Sequence, residues 1–308
     1  MNVAKFGGSS LASAEQVKKI CTIISSEPKR RLVVVSAPGK RDDSDTKVTD
    51  LLIAVAQARL ANEDGREEMT RVIDRYAQIA QGLDLPNSAL EPIAEDFEKR
   101  LVGDTSDADL FTDTMKAGGE DNCARLVAGY LQHTGVEAQY VDPGEGGMIL
   151  SDEPGNARVL RASYQKLRTL RDRSGLIIFP GFFGYSTAGK VVTFPRGGSD
   201  ITGAILAAAV EAKVYENFTD VDSVFVANPT LVDNPIAVDK ITYREMRELS
   251  YAGFSVLHDE ALEPVFHAQI PVVVKNTNNP QASGTQIVPN RPTGDAPVVG
   301  IAATDGFC

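Results

Sequence analysis

The chain has 308 residues, 43 % hydrophobic and 24 % charged, with 31 basic against 42 acidic side chains and a net charge of −11. That length can bury a sizeable core, and the lack of a basic stripe argues against a nucleic-acid partner. No apolar run reaches the ~18 residues of a membrane span, no secretion signal opens the chain, and Cys21, Cys123 and Cys308 lack CxxC spacing, so a cytoplasmic protein with reduced thiols is expected.

Val3 to Phe6 reads as a strand and Gly7-Gly8-Ser9-Ser10 as the turn leaving it. In the helix that follows, Ser13 and Gln16 have capping-box spacing, and Val17, Ile20, Ile23 and Ile24 form an apolar stripe. Leu32 to Val35 is apolar throughout, as a strand covered on both faces should be. A polar loop from Pro38 to Thr46 leads to a helix beginning near Lys47, and three helical patterns then fill the stretch to about residue 134. Strand character returns at Val136 to Val141 and Leu176 to Phe179. Phe182 to Phe194 reads as a hairpin turning at Thr187-Ala188-Gly189-Lys190. Ser199 is placed to cap a small-residue helix running to about Lys213. Val214 to Phe218, Ser223 to Val226 and Pro271 to Lys275 are further strands, the last two separated by helices near 242–253 and 259–268. Residues 291–297 have linker composition, and Val298 to Ala302 reads as one more strand with nothing left to pair it. This alternation predicts an α/β fold with a mainly parallel sheet.

Two glycine-rich turns carry the chemistry. In Lys5-Phe6-Gly7-Gly8-Ser9-Ser10 the glycines let the backbone approach a phosphate, the next helix points its N-terminus there, and the lysine adds a mobile charge. An ordinary strand-to-helix turn accounts for that spacing equally well. Pro195-Arg196-Gly197-Gly198-Ser199-Asp200 adds an arginine able to fork a carboxylate and an aspartate at a helix start, which the helix dipole alone would explain. Gly118-Gly119-Glu120-Asp121 reads as the opening of another helix, with Glu120 either complementing the dipole or recognising an amino group. Phe218-Thr219-Asp220-Val221-Asp222 ends a strand, where α/β folds bind ligands. The histidines, His133, His258 and His267, have no HExxH spacing, and the Walker A, HRD, DFG and GxSxG signatures are absent.

Taken in order, KFGGSS at 5–10, VVVSAPG at 33–39, KVTDLL at 47–52, GGED at 118–121, FPGFFG at 179–184, PRGGSD at 195–200, NFTDVDSV at 217–224 and KNTNNP at 275–280 resemble the amino-acid kinase family. Within it they are similar to the aspartokinases, over essentially the whole chain. The resemblance implies a three-layer αβα sandwich around a mainly parallel sheet. It implies a catalytic domain over 1–290, with an aspartate-binding N-terminal lobe (about 1–195) and a nucleotide-binding C-terminal lobe (about 196–290). A linker at 291–297 and the start of an ACT regulatory module at 298–308 would follow. The reaction implied moves the γ-phosphoryl group of ATP, with Mg2+ carried mainly on its phosphates, to the β-carboxylate of L-aspartate. Carried over by position, Lys5 and Asp200 are catalytic, and Lys5, Gly7, Gly8 and Ser9 meet the transferring phosphoryl group. Thr49, Glu120, Arg196 and Ser199 hold aspartate, with Glu120 on its amino group and Arg196 on a carboxylate. Thr219, Asp220 and Phe225 lie along the nucleotide.

Two departures matter. Ser255 stands where the family often has a lysine, and Asn228-Pro229-Thr230 where it often has Asp-Pro-Arg. Ser255 and Thr230 therefore leave the nucleotide site two positive charges short, and Lys275 is the expected substitute for one of them. Without the ACT modules the chain is expected to lack feedback inhibition, and a homo-oligomer is expected when they are present. The rival readings are a kinase of the same fold for another acceptor and a non-catalytic binding or regulatory subunit.

Overall fold

The computed structural model describes residues 1–227, 231–251, 257, 259–292 and 298–301. Its first two strands, β1 (Asn2–Phe6) and β2 (Arg30–Val35), are parallel neighbours joined through α1 (Ala14–Ser25). Leu32 and Val34 point into one hydrophobic core, Val33 and Val35 into a second. Such alternation with no polar face requires helices on both sides.

One layer of helices is α1 with α2 (Val48–Leu60), α3 (Arg66–Gly82), α4 (Glu91–Leu101) and α5 (Ala108–His133). The chain continues through β3 (Ala138–Tyr140), α6 (Pro143–Gly146), β4 (Ile149–Leu150), α7 (Arg161–Leu167) and β5 (Leu176–Pro180). The hairpin β6 (Phe183–Ser186) and β7 (Val191–Thr193) then leads into α8 (Gly198–Ala209) and β8 (Tyr215–Thr219). Last come β9 (Lys240–Thr242), α9 (Tyr243–Tyr251), α10 (Glu263–His267), β10 (Val272–Asn276) and β11 (Thr285–Val288). The main sheet has the order β3-β5-β2-β1-β8-β10-β11-β9, parallel except where β11 runs against β10; β4, β6 and β7 form a separate small sheet. This is the three-layer α/β sandwich expected, and α8 packs the face opposite α1–α5 with Ile201, Ile205 and Leu206.

Several local expectations are corrected. GGED does not open a helix; it sits in the middle of α5, whose N-cap is Asp107. Helical glycines there serve close packing, since a Cβ on Gly119 would stand 2.8 Å from the Ala37 Cβ and one on Gly118 3.0 Å from the Arg100 side chain. Ser199 is not a cap: Gly197, at φ 77°, turns the chain into α8 two residues earlier, and the helix stops at Ala209. The Ser13 hydroxyl caps Gln16 N–H, but the Gln16 side chain reaches Asn278 instead of closing a box. Residues 223–226 form an isolated bridge, Phe225 to Ala237, in place of a strand. Among the described residues, 298–301 show no strand pairing; the Ile301 N–H donates to the Val226 carbonyl. The strands β4, β9 and β11 were not anticipated; each is only two to four residues long.

Candidate active site

The parallel strands end along one edge of the sheet, with Phe6 level with Val35 on one side and Phe218 on the other. From β1 the chain turns first to β2, and β8 later fills the opposite side. That divergence is the switch point where open α/β sheets bind ligands. The loops after β1, β2, β5, β8 and β10 carry singled-out motifs.

Period-two alternation puts Val3 and Lys5 on the α8 face of β1, while Ala4 and Phe6 face α1–α5. The Lys5 ammonium therefore meets the α8 N-terminus, 2.6 Å from Asp200 Oδ1. Asn217, on the same face of β8, donates to that oxygen at 2.8 Å. The sequence reading missed Asn217, whose only signal was its place two residues after Tyr215. Tyr215 donates to the Asp200 carbonyl at 3.1 Å, and only glycine fits at 203, where a Cβ would lie 2.5 Å from the tyrosine oxygen. A buried lysine, an aspartate and an amide thus fix one another before any ligand arrives.

Beside this pair the Gly7-Gly8 turn lies backbone to backbone with β8 and with Gly39, in the loop after β2. Gly7 N–H donates to the Phe218 carbonyl at 3.1 Å and Gly39 N–H to the Gly8 carbonyl at 2.8 Å. A Cβ on Gly39 would stand 2.6 Å from the Gly8 carbonyl carbon. Lys5 Nζ lies 3.4 Å from where a Cβ on Gly7 would be, so Gly7 is passed closely by the ammonium. Gly8, Ser9, Thr49, Glu120 and Asp220 line a cleft of about 510 Å³ together with Ala37–Asp43 and Lys47. Five predicted residues from four separate segments therefore share one cavity.

Glu120 is the anomaly of that cleft. It is 5 % exposed, and its Oε2 has no hydrogen-bond partner among the described residues. Burial pushes its carboxyl up to about 8, against the Ala37 backbone hydrogen bond and the Lys116 charge, which lower it. Tyr76 holds the adjacent Gly119 carbonyl at 2.5 Å. A buried carboxyl with a free oxygen is able to take a cationic hydrogen-bond donor.

Arg196 is exposed on the turn before α8 and forms no ion pair or hydrogen bond among the described residues. Ser199 is buried with its hydroxyl against Gly181, where a Cβ would come within 2.6 Å of it. Next to Gly181, Phe182 holds φ 73°, a conformation that costs a bulky residue about 1–3 kcal/mol. Thr202 accepts the Phe182 N–H at 3.1 Å. Strain of this kind marks a place where the surroundings dictate the backbone.

On the β8 side, Thr219 donates to Asp220 at 3.2 Å, and Asn276 and Asn279 donate to the two oxygens of Asp222 at 2.7 and 3.3 Å. Phe225 is half-buried in its bridge, six residues beyond Thr219. Lys275 places Nζ 5.9 Å from the centre of the Phe218 ring, which stacks on Phe6 at 4.7 Å. Thr230 and Ser255 lie outside the described residues. Cys21 and Cys123 are free and buried, their thiols pushed up by desolvation. No group of three metal-ligating side chains, and no helix long and apolar enough to cross a membrane, occurs among the described residues.

A second, larger cavity lies elsewhere. About 770 Å³ lies between α7, α8 and α10, lined by Arg158, Tyr164, Phe194, Ile205 and His267. It contains no residue of the Gly7-Gly8 turn, not Gly39 and not Glu120, so the smaller cleft is the candidate site.

Comparison with known proteins gives the family. The model of the amino acid kinase family matches residues 1–276. The chain belongs to the amino acid kinase family. Within that family it is 56 % identical to aspartokinase 3 of Bacillus subtilis over all of this chain and 68 % of that one. The crystal structure of Clostridium acetobutylicum aspartate kinase superposes with TM-score 0.83 at 35 % identity, covering 98 % of this chain and 66 % of that one. Escherichia coli aspartokinase III in complex with aspartate and ADP gives 0.80 at 29 %, covering 95 % and 65 %. This amino acid kinase chain therefore spans about two thirds of those relatives.

Proposed function

We propose that this chain is an aspartokinase catalytic domain, moving the γ-phosphoryl group of ATP to the β-carboxylate of L-aspartate. The observation that carries the reading is Glu120, a buried carboxyl with a free oxygen in the same cleft as the Gly8-Ser9 turn. An amino-acid ammonium and a phosphate would thus be bound side by side. The aspartokinase relatives, one of them bound to aspartate and ADP, support the same substrates.

The acceptor is an anion at neutral pH and attacks without a general base, so the protein's task is alignment and charge neutralisation. Glu120 takes the substrate ammonium, with Thr49 and Ser199 beside it, and Arg196 turns its free guanidinium onto a carboxylate. Lys5, held by Asp200, faces the transferring phosphoryl oxygens with the Gly7 and Gly8 backbone. Thr219, Asp220, Phe225 and Lys275 run along the nucleotide, within a C-terminal lobe of about 196–290. Mg2+, when bound, would be carried mainly on the nucleotide phosphates and would offset part of their charge. We place this chemistry in the cytoplasm, and assign homo-oligomerisation to ACT modules beginning near 298. Retention of Lys5, Glu120, Arg196 and Asp200 together favours an enzyme over a binding subunit, which has no physical need for all four.

The test is hydroxylamine trapping with MgATP and L-aspartate, beside L-glutamate and a Lys5→Ala control. Aspartyl hydroxamate from L-aspartate alone, lost in the control, is the expected result. Nucleotide binding with no hydroxamate would overturn the catalytic reading.

A further inference from the structure

We infer that Arg75 is the positioning residue of the cleft, one guanidinium that fixes the phosphate turn and the start of α2 together; this deepens the phosphotransfer reading and rests on it. Arg75 lies on α3, outside the cleft lining, and is 5 % exposed. Its Nη1 donates to the Gly39 carbonyl at 3.0 Å, and its Nη2 to Asp45 Oδ1 at 2.5 Å and the Thr46 carbonyl at 3.3 Å. Those acceptors stand at the two ends of the loop that forms one wall of the cleft.

From the Gly39 end the path reaches the phosphate turn in one step. The Gly39 N–H donates to the Gly8 carbonyl, and the two glycine backbones are in contact, so a displaced Gly39 displaces Gly8. From the other end, Thr46 precedes Lys47, the N-cap of α2, and Thr49 faces the cleft from the first turn of that helix. Arg41 closes the loop on itself, giving its backbone N–H and Nε to Asp45 at 2.9 Å and its Nη2 at 3.1 Å.

The loop has no helix or strand of its own, and irregular backbone needs outside partners to keep one shape. It also brings Lys40 and Lys47 to the cleft wall, and neither ammonium has a partner among the described residues. Where those two charges stand is therefore set by the backbone that Arg75 holds. Only a planar guanidinium spans both ends at once; a lysine has a single ammonium for three acceptors. Small displacements matter in such a site, because misplacement by about 1 Å far from the reacting atoms can cost on the order of a hundredfold in rate.

Arg75→Lys and Asp45→Asn, made in the chain as it stands, test the assignment. Ile79→Ala is the control, a buried residue of the same helix whose loss leaves a cavity without cutting these hydrogen bonds. Steady-state kinetics with both substrates, MgATP affinity by calorimetry and thermal melts are read for all three. Both loop variants are expected to lose about tenfold to a hundredfold in kcat/KM for ATP and for aspartate. Ile79→Ala should lower Tm and leave the kinetics of the folded protein unchanged. Wild-type kinetics and nucleotide affinity in Arg75→Lys and Asp45→Asn would overturn the inference. If Arg75→Lys does not fold, Asp45→Asn decides alone. An inactive wild type would overturn the reaction proposed above, and MgATP affinity would then decide Arg75 by itself: weakened in the loop variants but not in Ile79→Ala upholds it, unchanged overturns it.

Discussion

The two halves of the candidate site, the β1–β8 seam and the cleft at Glu120, differ in how fully their polar groups are satisfied. Along the β1–β8 seam, Lys5, Asp200 and Asn217 fix one another at 2.6 and 2.8 Å. On the α5 side Glu120 is buried with one oxygen unpartnered, and Arg196 on the turn before α8 has no partner among the described residues. The first arrangement is a frame set before substrate arrives, as electrostatic stabilisation of a phosphoryl transfer needs. On the function proposed, the second is a receptor whose missing partners an α-amino acid would supply. Prebuilt groups should govern turnover and orphaned groups affinity.

Lys5→Ala should break the frame and give the largest effect, a fall in kcat of about a hundredfold to a thousandfold. Aspartate affinity should change far less, and steady-state kinetics over both substrates check this. A fall in aspartate affinity alone would erase the distinction between the two sides.

Glu120→Gln attacks the receptor and should raise the aspartate KM about tenfold or more, the worth of a hydrogen bond to a charged group. It should also change the pH dependence of stability. The folded carboxyl lies at about 8 against an ordinary 4.5, so it contributes no penalty below 4.5. As pH rises from 4.5 to about 8 the unfolded chain ionises first and stability falls; above about 8 the cost is constant. The glutamine variant lacks this slope, and melts across that window should show it gaining on wild type toward alkaline pH.

Arg30→Ala sharpens the comparison from outside the cleft. Arg30 forks Glu216 through Nε at 2.7 Å and Nη2 at 2.8 Å, with both side chains about nine-tenths buried. Leaving that carboxylate alone should cost about 3 kcal/mol of stability in urea unfolding, with kcat and KM unchanged. The smallest effect belongs to Lys275→Ala, a few-fold rise in the ATP KM; its ammonium rests over Phe218, a contact worth about 0.5–1 kcal/mol when exposed. Unchanged ATP affinity would remove Lys275 from the nucleotide site.

Much of this was legible in the sequence because the decisive signals are local. Val3 to Phe6 followed by two glycines announces a strand and a turn, and Ser13 a cap. GGED misled because glycine pairs in a helix interior look like a helix boundary, and only Ala37, Arg100 and Phe97 pressing on Gly118 and Gly119 explain them. Ser199 misled because a left-handed glycine began α8 before it. Asn217 showed only its place in the β8 alternation and Arg75 no sequence signal at all, since their roles come from partners 17 and 36 residues away in the chain. The 223–226 strand failed because its run pairs through a single bridge.

The claim that the Glu120 side is a receptor for a substrate ammonium is tested most directly by calorimetry of L-aspartate near pH 7. The titration is run with a non-hydrolysable ATP analogue, in two buffers of different ionisation enthalpy. A carboxyl near 8 in the free protein is mostly neutral at that pH and must ionise to pair with the ammonium. The predicted result is release of close to one proton per aspartate bound, abolished in Glu120→Gln. Tight aspartate binding with the same heat in both buffers would contradict it.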